Sequence, residues 1–178
     1  MTSSFLTQIG NDINGEIAND YSGWSVSLSS DGSVVAIGAT SNSANGNNSG
    51  HVRIYKNVNN TWTQVGSDID GEAAGDRSGW TVSLSADGTV VAIGATNNDS
   101  NGTDSGDGHG HVRIYKNVNN TWTQVGSDID GENADDLSGT SVSLSSDGNV
   151  VAIGAYTNDG NGTDSGHVRI YKNVNNTW

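Results

Sequence analysis

The segment of this sequence best suited to chemistry is the loop DIDGEAAGD at residues 68–76. Its carboxylates stand at alternate positions and a glycine stands where a tight turn needs one, features shared with calcium-binding loops. A close copy, DIDGENADD, follows at residues 128–136, and an oxygen-rich loop, NDGNGTDSG, at residues 158–166. Ca2+ prefers such oxygen ligands. The predicted calcium ligands are Asp68, Asp70, Glu72, Asp76, Asp128, Asp130, Glu132, Asp136, Asp159, Asn161 and Asp164.

A purely structural role for the same loops stays open. Asn and Asp side chains commonly shape turns by bonding to nearby backbone groups, and acidic loops keep a surface soluble. The spacing differs from that of an EF-hand, and the loop NSANGNNSG at residues 42–50 contains no acid. We therefore expect that no cofactor is required, with Ca2+ as a candidate ion.

Two tryptophans offer a second kind of site. Trp24 and Trp80 each begin an alternating, strand-like segment, and an exposed indole ring there could stack on a sugar. Packing between neighbouring sheets is the alternative role.

The chain has no cysteine, no phosphate-binding loop and no nucleophile paired with a base. No pair of acids stands out for glycoside hydrolysis, so we predict that the protein is not an enzyme.

The charge and the hydropathy of the sequence argue against two classes of partner, nucleic acids and membranes. The formal net charge is −13 with only seven Lys and Arg residues, which argues against nucleic acid as a partner. No segment approaches the length of a membrane span, and the first residues lack the basic and apolar regions of a signal peptide. We expect no membrane insertion, and the sequence leaves the cellular location open.

Three copies of one repeat make up nearly the whole chain. The motif GHVRIYKNVNNTW occurs at residues 50–62, 110–122 and 166–178. The repeats span residues 7–62, 63–122 and 123–178, and the second is longer because GDGH is inserted at residues 106–109. We treat residues 1–178 as a single domain built from these repeats.

Each repeat predicts four short antiparallel strands. In the first copy, WSVSLS (24–29) alternates, the Asp-Gly turn SDG follows, and VVAIGA (34–39) is a continuous apolar run. HVRIYK (51–56) alternates again, and WTQVGSDI (62–69) completes the unit. Four antiparallel strands repeated at this interval are typical of a propeller blade. The predicted fold class is therefore an all-β propeller with three blades in the chain.

The stretch SGWSVSLSSDGSVVAIGATSNS, followed by GHVRIY, resembles the FG-GAP repeat, the blade unit of integrin-alpha-type propellers, in a compact form. The resemblance implies a non-catalytic role in adhesion or interaction and an extracellular setting. Thr140 replaces tryptophan in the third copy. The family's calcium loop is reduced to turns such as SSDGS, which cannot supply enough oxygen ligands. The family's calcium site is therefore not carried over to Asp31, Asp87 or Asp147.

The predicted strands do not divide into three complete blades. LTQIGNDI at residues 6–13 reads as a fourth strand without a blade of its own, and the third blade stops before its fourth strand. Three blades are also fewer than the four to eight that close a ring. We predict a homodimer in which each copy donates this strand to the other's third blade, giving six blades. The predicted closure residues are Leu6, Thr7, Gln8, Ile9, Ile13, Val168, Ile170 and Trp178.

Several alternatives remain at this stage. The chain could be a piece of a longer blade array, or strand donation could continue without closing and build a fibre. The leading functional hypothesis is an interaction, adhesion or scaffold propeller that binds itself and a protein or glycan. The alternatives are a multivalent carbohydrate-binding propeller, in which repeated weak sites act together, and a strand-donating fibre subunit.

Overall fold

The computed structural model describes residues 6–99 and 108–178, so the predicted insertion at residues 106–109 lies partly outside them. These two ranges contain thirteen strands and no helix. They therefore include no helix that could span a membrane. The prediction of an all-β chain is confirmed. The strands form three antiparallel sheets, which we call blades 1, 2 and 3.

The blades follow one another along the chain. Blade 1 contains β1 (Ser22–Leu28), β2 (Val34–Ala39), β3 (His51–Val58), β4 (Thr61–Gln64) and β5 (Ile69–Asp70). Blade 2 contains β6 (Ser78–Leu84), β7 (Val90–Ala95), β8 (His111–Val118), β9 (Thr121–Gln124) and β10 (Ile129–Asp130). Blade 3 contains β11 (Ser141–Leu144), β12 (Val150–Ala155) and β13 (His167–Lys172). Within each blade the first three strands pair in sequence order.

The turn between the first two strands follows directly from its sequence. Asp31 accepts hydrogen bonds from the Ser29 hydroxyl at 2.7 Å and from the Ser33 backbone N–H at 2.9 Å. Gly32 then adopts a φ of +70°, which a glycine reaches without strain. The apolar run that follows becomes β2, and all six of its residues are buried. The same run in blade 3, β12, is only partly buried because one face of that blade is uncovered.

The predicted fourth strand is broken in two, which corrects the sequence-based prediction of one strand over residues 62–69. β4 and β5 both pair with β3, and the Val65 N–H still donates to the Ile54 carbonyl at 2.8 Å, but residues 66–68 leave the ladder. Gly66, with a φ of +75°, lies so close to the next blade that an added Cβ would be 2.7 Å from the Asn120 carbonyl oxygen. The break lets the outer strand of one blade meet the hairpin of the next.

The blades pack face to face, with their first strands side by side. The Ser25 hydroxyl donates to the Gly79 carbonyl at 2.7 Å, and the Thr81 hydroxyl donates to the Gly139 carbonyl at 3.0 Å. One apolar core joins blades 1 and 2, and a second joins blades 2 and 3. Trp122 packs against the first core. Three antiparallel sheets arranged in this way are consistent with propeller blades.

Candidate functional site

Three side chains from different segments converge beside β3. The Nδ1 atom of His51 lies 3.6 Å from Oδ2 of Asp68 and 4.0 Å from Oε2 of Glu16. Protein donors hold the other oxygen of each carboxylate. Gln64 Nε2 donates to Asp68 Oδ1 at 2.6 Å, and Arg53 Nη1 lies 3.6 Å from Glu16 Oε1. We call the group Glu16, His51 and Asp68 cluster 1.

Blade 2 repeats this arrangement with the equivalent residues. The Nδ1 atom of His111 lies 3.7 Å from Oδ2 of Asp128 and 3.8 Å from Oε2 of Glu72. Gln124 Nε2 donates to Asp128 Oδ1 at 2.6 Å, and Arg113 Nη1 lies 3.5 Å from Glu72 Oε1. We call the group Glu72, His111 and Asp128 cluster 2. In both clusters the three facing atoms lie within 4.8 Å of one another, a separation that could hold a metal ion.

Blade 3 has only part of the same arrangement. The Nδ1 atom of His167 lies 3.7 Å from Glu132 Oε2, and Arg169 Nη1 lies 3.8 Å from Glu132 Oε1. In blades 1 and 2 the matching aspartates, Asp68 and Asp128, lie between the two parts of the fourth strand. The described ranges contain no carboxylate that completes this group as a third cluster.

Burial decides the charge state at cluster 2. Burial lowers the pKa of His111 from 6.5 to about 4; Arg113 adds to the lowering and Asp128 opposes it. The imidazole is therefore neutral near pH 7. Burial also raises the pKa of Glu72, an effect that Arg113 opposes. Both histidine side chains of the two clusters are only 1% exposed.

The other predicted calcium ligands do not gather around a common point in the described residues. Asp76 is buried and accepts backbone N–H groups of Glu72 and Ala73 at 3.1 and 2.8 Å, so it shapes its own loop. Asp136 is also buried and accepts a hydrogen bond from Asn158 Nδ2 at 2.9 Å. Such carboxylates hold loops together, which is the structural role left open by the sequence.

The remaining acids of the prediction occupy the loop edges. Asp70 and Asp130 contribute their backbone carbonyls, which accept hydrogen bonds from Arg113 and Arg169 at 2.7 and 2.6 Å. Asp159 accepts the backbone N–H of Asp164 at 2.8 Å within an exposed loop. The Asn161 backbone N–H donates to the Ser165 hydroxyl at 3.3 Å in the same loop.

The two candidate sugar-stacking tryptophans contact each other. The ring centroids of Trp24 and Trp80 lie 4.9 Å apart at an interplanar angle of 50°. This tilted contact is typical of aromatic packing. Trp24 nevertheless keeps about half of its surface exposed, so one face of this pair is accessible to a ligand.

Two apolar faces, one at each end of the row of blades, are open. On blade 3, Val168 and Ile170 are 66% and 71% exposed, whereas Ile54 and Ile114, the counterparts of Ile170, are 1% exposed. On blade 1, Val26 is 64% exposed, and its blade 2 counterpart Val82 is 8% exposed. We call these the blade 3 face and the blade 1 face. They correspond to the two halves of the interface that the chain builds between its own blades.

The segment before β1 lies against blade 1 as though it belonged to a preceding blade. Trp62 Nε1 donates to the Ile9 carbonyl at 2.9 Å, just as Trp122 Nε1 donates to the Val65 carbonyl at 2.8 Å. Trp178 makes the same bond in blade 3. Residues 6–13 were predicted to be a strand, but no strand is assigned there in the single chain. A strand needs a partner, and the described residues offer none at that place.

A family model for the FG-GAP repeat matches residues 15–55 and 127–171. The chain contains FG-GAP repeats. The resemblance drawn from the sequence is therefore confirmed, and residues 63–122 repeat the same motifs. No curated protein matches the sequence.

Solved structures resemble this chain in fold. One is a Bacteroides uniformis protein named as a 6-phosphogluconolactonase, with a TM-score of 0.56 and 14% identity. Another is the complex of KlAtg21 with the coiled coil of AgAtg16, with a TM-score of 0.53 and 12% identity. Each match covers 85% of this chain, but the chain spans only 36% and 40% of the length of those proteins. Likeness at this identity shows the fold alone.

Clusters 1 and 2 combine predicted ligands with residues that were not predicted. Asp68, Glu72 and Asp128 were predicted as ligands from the sequence, whereas Glu16 and the two histidines were not. The signal that could have found them is the return of His, Asp and Glu at the same place in every repeat. In each cluster the glutamate and the histidine lie in one repeat and the aspartate lies in the next, so the spacing within one repeat does not reveal the grouping.

Proposed function

We propose that the protein is a non-catalytic interaction scaffold whose three blades pair with those of a second copy to form a six-bladed propeller. The exposure of the blade 1 face and the blade 3 face carries this proposal. The FG-GAP repeats support the interaction role because they are typical of adhesion and interaction propellers. Two copies placed end to end supply six blades, within the range of four to eight that forms a closed ring.

The two faces are complementary because the chain already buries the same pair of faces twice. Between blades 1 and 2, Val52 and Ile54 lie in one core with Val82 and Leu84. At the open ends, Val168 and Ile170 are the counterparts of Val52 and Ile54. Val26 and Leu28 are the counterparts of Val82 and Leu84. Contact between copies would therefore repeat a packing arrangement that these side chains already adopt.

The segment before β1 supplies a matching strand. Ile69 and Asp70 of β5 pair with Val52 and His51 of β3. By the repeat, Ile13 of one copy would pair with Val168 of the other. Thr63 pairs with Lys56 in the same sheet, so Thr7 would pair with Lys172. Leu6 is equivalent to Trp178 and would lie just outside the donated strand.

Engineered cysteines test this pairing directly, because the natural sequence has no cysteine. Thr7 and Lys172 are exposed, and residues directly opposite in an antiparallel pair lie about 5.5 Å apart at most, within disulfide range. We expect the variant T7C/K172C to form a disulfide-linked dimer on mild oxidation. The unmodified chain should have about twice its chain mass of 18.3 kDa in solution.

A register-shifted pair is the matched control. In T7C/N173C the second cysteine lies one residue beyond the end of β13, where the alternation of side chains directs it to the opposite face of the sheet, so cross-linking should be weak. A ladder of larger products from T7C/K172C would indicate an open fibre and refute the closed ring. A protein concentration of about 100 μM is high enough to populate a dimer with a micromolar dissociation constant. A monomeric mass at that concentration, together with no cross-link, would refute the assembly.

A carbohydrate-binding role is the second candidate, favoured by the exposed half of Trp24 beside Trp80. An array of immobilised glycans would test it with the unmodified protein and with W24A. Glycan binding that W24A abolishes would support this role. Equal glycan binding by both proteins would show that Trp24 does not bind the sugar.

A further inference from the structure

We propose that clusters 1 and 2 each bind a divalent transition-metal ion of the zinc class, and that Asp12 of a second copy completes a third such site at His167 and Glu132. The first part depends only on the single chain. The second part rests on the proposed function, because it needs the donated strand.

The carboxylates of each cluster are arranged as fixed ligands. In cluster 1, one oxygen of Asp68 is held by Gln64 and one oxygen of Glu16 faces Arg53, while the remaining oxygen of each faces His51. Outer contacts of this kind orient the ligands of protein metal sites. Cluster 2 reproduces every one of these contacts. A chance meeting of surface acids would not explain a buried nitrogen and two oriented oxygens at both places.

The histidine nitrogens supply the independent observation. The Nδ1 atoms of His51 and His111 are buried and have no hydrogen-bond partner in the described part of the chain. Their distances to the carboxylate oxygens, 3.6 to 4.0 Å, are too long for hydrogen bonds. Two ligands about 2.1 Å from a tetrahedral zinc ion lie about 3.4 Å apart. A small closure of each cluster would therefore coordinate an ion and satisfy the nitrogen.

The ligand set identifies the class of ion. One imidazole nitrogen and two carboxylate oxygens suit zinc and related ions better than Ca2+, which prefers oxygen ligands only. In cluster 2 the two carboxylates carry more negative charge than the neighbouring Arg113 offsets. Glu72 is 44% exposed, so the site is open to solvent, and water can occupy the remaining coordination positions.

The incomplete group at blade 3 connects metal binding to assembly. His167, Glu132 and Arg169 repeat the geometry of the complete clusters. Asp12 is the counterpart of Asp68 in the repeat, and Gln8 Nε2 already donates to its Oδ1 at 2.8 Å, as Gln64 does to Asp68. The donated strand would carry Asp12 to His167. We therefore expect three ions per chain in the assembly and two per chain in a monomer.

Zinc stoichiometry measured by native mass spectrometry and calorimetric titration tests the proposal. The variants D68N and D128N should each weaken one site by at least about 10-fold, and D12N should remove only the third. D135N is the control, since Asp135 is an exposed acid outside the clusters. Asp12 and Asp135 are exposed, and Asp68 and Asp128 are partly exposed. Circular dichroism melts would verify that each variant folds.

The outcomes separate the two parts. Unchanged zinc binding in a D68N/D128N double variant, or Ca2+ binding tighter than Zn2+ binding, would overturn the metal assignment. Two ions per chain on a monomer would support the metal sites and refute the assembly. A dimer that binds no zinc would retain the assembly and refute the metal sites. A dimer with three ions per chain, reduced to two per chain by D12N, would support both parts.

Discussion

Ile114 and Ile170 occupy the same position in successive repeats, yet Ile114 is 1% exposed and Ile170 is 71% exposed. Replacing each by alanine gives a matched pair of variants with the same chemistry. I114A removes packed methyl groups from the core between blades 2 and 3. Substitutions of this kind cost about 2–5 kcal/mol of unfolding free energy. I170A should change the stability of a single chain by less than about 1 kcal/mol, because most of its side chain already contacts solvent.

The effect of I170A should instead fall on association. Full burial of an isoleucine side chain contributes about 1.5–3 kcal/mol, and about 70% of that, roughly 1–2 kcal/mol, is still to be gained at Ile170. A two-fold ring contains the contact twice. The dimer should therefore lose about 2–4 kcal/mol, which raises its dissociation constant by about 30-fold to 1000-fold.

Sedimentation velocity over a range of concentrations would measure the dissociation constants, and urea unfolding of the dilute proteins would measure stability. An unchanged dissociation constant for I170A would refute the assignment of the blade 3 face as the partner surface. Equal loss of stability in dilute I114A and I170A would refute the difference in burial on which the calculation depends.

Two further predictions concern the turns and the outer hairpins. The Ser29 hydroxyl and the Ser33 backbone N–H hold the pKa of Asp31 at about 2, below its ordinary 3.8. A pKa that is lower in the folded state adds stability to the fold; this stability is present above about pH 4 and is lost as the pH falls through about 2. D31N should therefore flatten the acid part of a urea-midpoint curve between pH 4 and 2, and an unchanged slope would contradict this. W122F keeps an aromatic ring but removes the donor to the Val65 carbonyl and part of the indole that packs against the first core, so it should cost at least about 1 kcal/mol and lower the melting temperature by at least about 2–4 °C. A melting temperature equal to that of the unmodified protein would show that this hydrogen bond adds no net stability.

Local pattern was enough to predict most strands. The apolar run VVAIGA becomes the buried β2 and β7, and the alternating HVRIYK becomes β3, β8 and β13. The two-part fourth strand was missed because its break depends on Gly66, which must accommodate the next blade's hairpin. No local signal reports the approach of a neighbouring sheet.

The amino-acid sequence by itself determined the repeat, the four-strand unit and the all-β class, because turn chemistry and strand periodicity are properties of neighbouring residues. Only the tertiary structure decided which acids meet a histidine and which apolar faces stay open. Cluster 1 joins residues from three segments, Glu16, His51 and Asp68, and its geometry depends on how one blade lies against the segment before it. Ile54 and Ile170 stand in the same local sequence, HVRIYK, and differ in burial because blade 1 has a following blade in the structure and blade 3 has none there.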